Sequence, residues 1–168
     1  MYFPIILGTA REGRQSEKVA RFMLEELKKE GIESSIIDVR DYRIEATDNT
    51  KKGSEAKRLA EIIGKADGIV IVSPEYNHGY PGELKMMLDL LYEEYRGKPV
   101  LICGVSAGIF GGARMVEQLR LVCLGLGMVP VSSALYFRNA EEFNESEGNE
   151  GYRRSVKRAV EELKRHNR

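Results

Sequence analysis

Short apolar runs rich in β-branched residues alternate with amphipathic stretches along almost the whole chain. Within the amphipathic stretches, apolar residues recur at the spacing of a helix with one buried face. Strands that alternate with helices in this way form a parallel sheet with helices on both faces, and we predict that architecture here. The predicted strands cover residues 3–7, 34–39, 68–73, 99–104 and 128–135, and the first and last helices cover residues 16–30 and 150–165.

Turn-forming and polar residues mark the ends of these elements. Ser54 is expected to cap the second helix, and Pro81 is expected to be the first residue of the third, where proline is best tolerated. Residues 40–53 are polar and residues 141–150 are acidic, so both segments are predicted to be solvated loops.

The overall composition indicates one globular domain spanning residues 1–168. The 26 basic and 26 acidic residues cancel, so we expect no general attraction to nucleic acid or to a membrane surface. No apolar run is long enough for a membrane span, and the one near the start is too short for a signal peptide. Cys103 and Cys123 form no metal-binding pattern, so free, buried thiols in a cytoplasmic protein are expected.

The loop after the first strand is a candidate phosphate site. It leads into a helix N-terminus, where unpaired N–H groups and the helix dipole attract anions. Arg14 and Gln15 replace the Lys and Ser/Thr of a nucleotide-triphosphatase loop, which argues against that class. An ordinary polar turn capped by Ser16 is the alternative. The side chains suited to donate hydrogen bonds to a phosphate are Thr9, Arg11, Gln15 and Ser16.

Two further loops follow the third and fourth strands, at the sheet edge where such folds bind ligands. The first of them, SPEYNHGYPG, combines prolines and glycines that fix the backbone with tyrosines suited to a flat ligand. The second, VSAGIFGGAR, has glycines that allow close approach to a ligand or, alternatively, tight packing of helix on strand. His78 is interpreted as a surface residue, so chemistry carried by a cofactor is favoured over catalysis by side chains.

These three loops together resemble the NADPH-dependent FMN reductase family, which includes bacterial chromate, quinone and azo-dye reductases. GTAREGRQS is similar to that family's phosphate loop, SPEYNHGYPGELKMMLD to its PEYN and PGxLK signature, and VSAGIFGGARMVEQLR to its glycine-rich segment. The resemblance covers about residues 3–137. Met86 and Leu90 depart from it, because the family often has Asn and Trp at these positions.

The resemblance implies a flavodoxin-like three-layer sandwich with strand order 2-1-3-4-5. It also implies an enzyme in which NADPH or NADH reduces bound FMN by hydride transfer, and FMN then reduces a quinone, a free flavin, an azo dye or a metal oxyanion. Ping-pong kinetics follow if both substrates use one flavin face, and neither a catalytic side chain nor a metal is implied. The implied FMN-binding residues are Thr9, Arg11, Gln15, Ser16, Pro74, Glu75, Tyr76, Asn77, Ser106, Gly108 and Gly111.

Two other aspects of the resemblance concern partners and rival functions. A homodimer or homotetramer is expected, from the tyrosines of the PEYN loop and from Met86 and Met87 on the helix that follows. The main alternative is a flavodoxin-like electron carrier without NAD(P)H turnover. Such carriers are usually acidic, whereas this chain is neutral and offers Arg11 and Arg14 near the phosphate loop. A sensor or interaction protein with an empty flavin site is a further alternative.

Overall fold

A five-stranded parallel sheet forms the centre of the molecule. The computed structural model describes residues 1–46, 53–144 and 150–166. The strand order is β2-β1-β3-β4-β5, so the predicted fold class and order are confirmed. The strands are β1 (Ile5–Leu7), β2 (Ile36–Asp38), β3 (Ile69–Pro74), β4 (Pro99–Val105) and β5 (Val129–Phe137), and all neighbouring pairs are parallel.

Helices cover both faces of this sheet, because each strand is apolar on both sides. On β3, Val70 and Val72 face one core while Ile69 and Ile71 face the other. Helices α1 and α5 complete the first core, and α2, α3 and α4 complete the second. The helices are α1 (Ser16–Lys29), α2 (Ser54–Lys65), α3 (Gly82–Leu88), α4 (Ala113–Gly125) and α5 (Glu150–Arg165).

Several element boundaries differ from the predictions by one or two residues, as expected where turns compete with regular structure. Pro81 is the N-cap of α3 rather than its first residue, and Gly53 rather than Ser54 is the N-cap of α2. The strands β3 to β5 each end one or two residues later than predicted, which lengthens the sheet edge that carries the loops.

The prediction of a continuous loop over residues 40–53 is wrong at its start. Val39–Tyr42 forms a 3-10 turn, because the Asp38 carboxylate accepts a hydrogen bond from the Arg40 N–H and so caps it. Residues 47–52, and residues 145–149 of the predicted acidic loop, lie outside the described part of the chain. A second 3-10 turn at Glu93–Tyr95 was not predicted.

Both cysteines are free and buried, as predicted. Burial raises the pKa of the Cys123 thiol to about 12, and it also raises the pKa of Cys103. Neither thiol therefore has the character of a reactive thiolate near neutral pH. Across the described residues, none of the helices has the length and apolar character needed to cross a membrane.

Candidate flavin site

A cleft of about 260 Å³ lies at the carboxyl ends of β1, β3 and β4. Parallel strands turn their carboxyl ends to one edge, so the three loops singled out from the sequence meet there. Its walls come from the loop after β1, the loop after β3, the loop after β4, and the segment after β5. The lining residues are Arg11, Glu12, Gly13, Arg14, Gln15, Ser16, Pro74, Glu75, Tyr76, Val105, Ser106, Ala107, Ala140 and Glu141.

One wall of the cleft is rich in unused hydrogen-bond donors. Within the described residues, the backbone N–H groups of residues 12–16 donate no hydrogen bond inside the protein. Gly13 adopts a left-handed conformation, with φ of 64°, which turns the backbone into the N-terminus of α1. Five such donors at a helix N-terminus form a site for an anion.

Two polar side-chain atoms in the same loop are buried without a partner. They are the Ser16 hydroxyl, on a residue only 1% exposed, and the Gln15 side-chain oxygen. A buried polar group without a partner costs about 1–3 kcal/mol, and a bound ligand is one way in which such a group is satisfied. The Ser16 hydroxyl can donate to a phosphate, whereas the Gln15 NH₂ donates to the Gly13 carbonyl at 3.4 Å.

Arginines behind the loop hold its carbonyl groups away from the cleft. The guanidinium of Arg14 donates to the Thr9 carbonyl at 2.6 Å and makes two hydrogen bonds to Asp38 at the end of β2. Arg40 donates to the carbonyls of Ala10, at 3.1 Å, and Arg11, at 2.7 Å. These hydrogen bonds fix the backbone of the loop just before the free N–H groups begin at residue 12. Arg14 is therefore a structural residue here, although the sequence offered it as a cation for the phosphate.

The PEYN turn forms a second wall and has a fixed shape. Tyr76 and Gly79 exchange two backbone hydrogen bonds of 2.9 Å around Asn77 and His78, which have φ of 48° and 69°. Two consecutive left-handed residues define a type I′ turn, and asparagine and histidine are among the non-glycine residues that adopt this conformation most readily. The Tyr76 hydroxyl lies 3.0 Å from the Thr9 hydroxyl, which ties the turn to the loop after β1.

Glu75 anchors the same turn to helix α4. Its carboxylate, 7% exposed, accepts from the backbone N–H groups of Arg114 and Met115 at 3.2 and 3.3 Å, and it pairs with the Arg114 guanidinium at 2.7 Å. The N-cap of α4 is Gly112, which has no side chain to perform this role. The side chain of Glu75 therefore serves α4, and its backbone N–H donates to the Val105 carbonyl.

Glycines allow the loop after β4 to pack closely against the sheet. A Cβ on Gly111, whose φ is 59°, would lie 2.8 Å from the Tyr136 backbone, so only glycine fits there. Gly108 faces open space, and its carbonyl accepts from the Ser106 hydroxyl at 3.1 Å.

The cleft brings together seven of the eleven residues predicted from the sequence, namely Arg11, Gln15, Ser16, Pro74, Glu75, Tyr76 and Ser106. Thr9, Asn77, Gly108 and Gly111 lie beside it without lining it. Sequence reasoning missed Glu83 and Arg40, which hold the backbone of the first loop from other elements. No local pattern marks these residues, because each acts across a gap of at least 29 residues.

The strand order and a donor-rich loop after the first strand define a flavodoxin-like protein of the α/β class. The chain belongs to the NADPH-dependent FMN reductase family, whose model matches residues 1–142. It is thus an oxidoreductase of a family that depends on flavin and NAD(P)H.

Curated relatives agree with this assignment. The chain is 37% identical over 129 residues to a quinone reductase of Escherichia coli strain K12, covering 72% of this chain and 68% of the relative. It is 34% identical over 143 residues to an NAD(P)H-dependent FMN reductase of Schizosaccharomyces pombe, covering 78% and 70%.

Solved structures with the same fold include a flavoenzyme and a flavodoxin. The flavoenzyme FerB of Paracoccus denitrificans, an NAD(P)H:(acceptor) oxidoreductase, superposes with a TM-score of 0.85 at 22% identity, covering 98% of both chains. A flavodoxin variant from Pseudomonas aeruginosa gives a TM-score of 0.65 at 20% identity, covering 98% of this chain and 99% of the flavodoxin. At these identities, the likeness establishes the fold alone.

Proposed function

We propose that the chain binds FMN in this cleft and uses NAD(P)H to reduce a small acceptor. The observation that carries the proposal is the set of free donors at the start of α1, the N–H groups of residues 12–16 and the buried Ser16 hydroxyl. They suit the terminal phosphate of FMN. From there the cleft continues to Tyr76 and Ser106, which suit the ring and its side chain.

When bound, FMN supplies the chemistry, since its ring accepts a hydride from NAD(P)H and passes the electrons on. The protein's part is to hold and orient the flavin. The N–H groups of residues 12–16 and Arg11 would neutralise the phosphate, while the fixed backbone of the PEYN turn would present peptide groups to the ring edge. No side chain is required as an acid, because solvent protons suffice for quinone reduction.

We propose quinones as the first acceptors to test, followed by free flavins, azo dyes and metal oxyanions. The support is the 37% identity to a quinone reductase. A donor and an acceptor that use the same face must take turns, so quinone reduction should follow ping-pong kinetics.

Anaerobic mixing with NADPH or NADH tests the proposed reductase. The bound flavin should lose its visible absorbance in a single two-electron phase, and quinone should restore it. Dithionite serves as the control, because it reduces flavin without a nicotinamide site. Bleaching by dithionite together with inertness toward both nucleotides would make the electron-carrier alternative the better description.

The phosphate contacts can be tested by comparing FMN with riboflavin. Arg11→Ala and Ser16→Ala should each weaken FMN by about 1.5–3 kcal/mol, the range for a hydrogen bond to a charged group. Riboflavin has no phosphate, so its dissociation constant should stay unchanged in both variants. Titration of the apoprotein, followed by flavin fluorescence, measures both constants. Ser155→Ala on α5 is a matched control, and an equal loss for both flavins would remove the two residues from the phosphate site.

We also propose a homodimer, or a tetramer of two dimers, assembled on the outer face of α4. Leu121 and Leu124 are 71% and 58% exposed near its C-terminus, and Ile109 and Phe110 are 67% and 61% exposed just before its N-terminus. A two-fold pairing of antiparallel α4 helices would set one apolar end against the other. Met87, by contrast, is fully buried in its own subunit and is unavailable for an interface.

Leu121→Asp should convert the dimer to a monomer, because a carboxylate at an apolar interface has no partner and must be desolvated. Light scattering at micromolar concentration measures the mass. Lys157→Asp on α5 adds a carboxylate to the other face of the molecule and should leave the mass unchanged. A wild-type monomer at that concentration would contradict the proposal.

A further inference from the structure

Glu83 makes an unexpected contact across the molecule with the loop after β1. It is the second residue of α3, and its Oε1 accepts the backbone N–H of Ala10 at 2.9 Å and the hydroxyl of Thr9 at 3.2 Å. In the motif PGxLK, Glu83 occupies the variable position, so the signature gives this residue no role.

The Thr9 hydroxyl has one proton, and its direction fixes the rest of the network. Thr9 is fully buried and donates that proton to Glu83, so its lone pairs accept from its neighbours. These neighbours are the Tyr76 hydroxyl at 3.0 Å and the Arg11 N–H at 3.3 Å. A single chain of hydrogen bonds thus joins α3, the phosphate loop and the PEYN turn.

This network changes what Thr9 and Ala10 can do. The Thr9 hydroxyl and the Ala10 N–H are both occupied by Glu83, whereas the free donors begin at residue 12. The resemblance assigned Thr9 to the phosphate, but the geometry directs its hydroxyl to a carboxylate. The backbone contacts to the phosphate would therefore start at residue 12, next to the side chain of Arg11.

A carboxylate close to a phosphate loop disfavours an anion by charge alone, so its benefit must be geometric. Burial on its own would raise the pKa of Glu83, but hydrogen bonds from the N–H groups of Ala10 and Glu83, the Thr9 hydroxyl and the charge of Arg43 together lower it. The group is thus ionised at neutral pH and accepts both hydrogen bonds as a carboxylate.

We propose that Glu83 is a positioning residue that sets the phosphate loop and the ring-side turn relative to each other, acting through Thr9 and Tyr76. The proposal rests on the proposed FMN site. It assigns Thr9 an indirect role, so the loss of its hydroxyl should disturb the seating of the ring as well as of the phosphate.

Dissociation constants for FMN and riboflavin test this assignment. Thr9→Val and Tyr76→Phe remove one hydroxyl each and keep the shape of the side chain. Each variant should bind FMN and riboflavin more weakly by the same factor, about fivefold. The double variant should bind the two flavins no more weakly than the weaker-binding of the two single variants. Glu83→Gln should weaken both flavins by about tenfold, because a charge-assisted acceptor is lost. Glu61→Gln, an exposed carboxylate on α2, is the matched control.

Other outcomes would overturn the assignment. A loss confined to FMN in Thr9→Val would make Thr9 a direct phosphate ligand, and tighter FMN binding in Glu83→Gln would reduce Glu83 to a repulsive charge. Additive effects of Thr9→Val and Tyr76→Phe on flavin binding would contradict the proposed coupling between the two hydroxyls.

Failure of the proposed function has a different signature, since wild-type protein would then bind neither flavin. Unfolding in denaturant tests the hydrogen-bond network independently of flavin. The effects of Thr9→Val and Glu83→Gln on the free energy of unfolding should be non-additive. Additive unfolding effects would overturn the network itself.

Discussion

Gly104→Ala is expected to lower the free energy of unfolding by about 3 kcal/mol, at the upper end of the range for overpacking a core. A Cβ at this position would lie 2.5 Å from the Gly111 carbonyl oxygen and 2.9 Å from Val116 Cγ2. The carbonyl belongs to the backbone of a tightly packed loop, so the added methyl cannot be accommodated by a rotamer change. For a chain of this length, such a loss lowers the Tm by about 6–12 °C.

The same substitution should also weaken flavin binding, because the loop that must move carries Ser106 at the cleft. Thermal unfolding and an FMN titration measure the two effects. Gly64→Ala is the matched control, since a Cβ on this helical glycine meets no atom within 4 Å. That variant should be as stable as the wild type or slightly more so, because alanine favours helix. A stable Gly104→Ala protein would show that β4 and the loop do not pack as described.

Arg14→Leu should cost about 3 kcal/mol of stability, as expected for removal of one partner from a buried ion pair. The Arg14 side chain is 4% exposed and that of Asp38 is 24% exposed. The substitution leaves Asp38 without its main cation, and it also removes the donor to the Thr9 carbonyl. Arg96→Leu is the control, because its ion pair with Glu93 is exposed and contributes little. Urea denaturation at pH 7 measures both variants.

The pH dependence of this effect has a defined sign. Burial alone would raise the pKa of Asp38, but its hydrogen bonds and the charges of Arg14 and Arg40 together lower the pKa below the ordinary value of 3.8. The Arg14–Asp38 pair therefore makes its full contribution to the free energy of unfolding above about pH 4. This contribution is lost as the pH falls through the lowered pKa of Asp38. In Arg14→Leu, Asp38 has lost its main cation, so its protonation at low pH removes the cost of an unpaired charge. The stability difference should thus narrow from pH 7 to pH 3, and a constant difference would contradict a charge-based role.

The fold class and three of the cleft loops were predictable from the sequence, because hydrophobic periodicity is a sum over many residues. Val70 and Val72 on one face of β3, and Ile69 and Ile71 on the other, signal burial on both faces before any partner is known. The hydrophobic effect has no direction, so an apolar run specifies a buried element without specifying its neighbours. Short turn motifs likewise place loops, since their backbone preferences are local.

Hydrogen-bond partners, in contrast, were decided by the tertiary structure. The sequence places Arg14 as a cation near the phosphate loop, and only the fold shows that the end of β2 brings Asp38 to its guanidinium, 24 residues further on. Thr9 is predicted to bind the phosphate, and only the fold shows that α3 places Glu83 beside its hydroxyl, 74 residues away. A hydrogen bond requires two atoms to approach to about 3 Å at a suitable angle, and only the packed arrangement of several elements sets such a distance. The sequence by itself therefore determined which loops meet at the sheet edge, while the packing of β2 and α3 determined which of their polar groups are left free to bind a ligand.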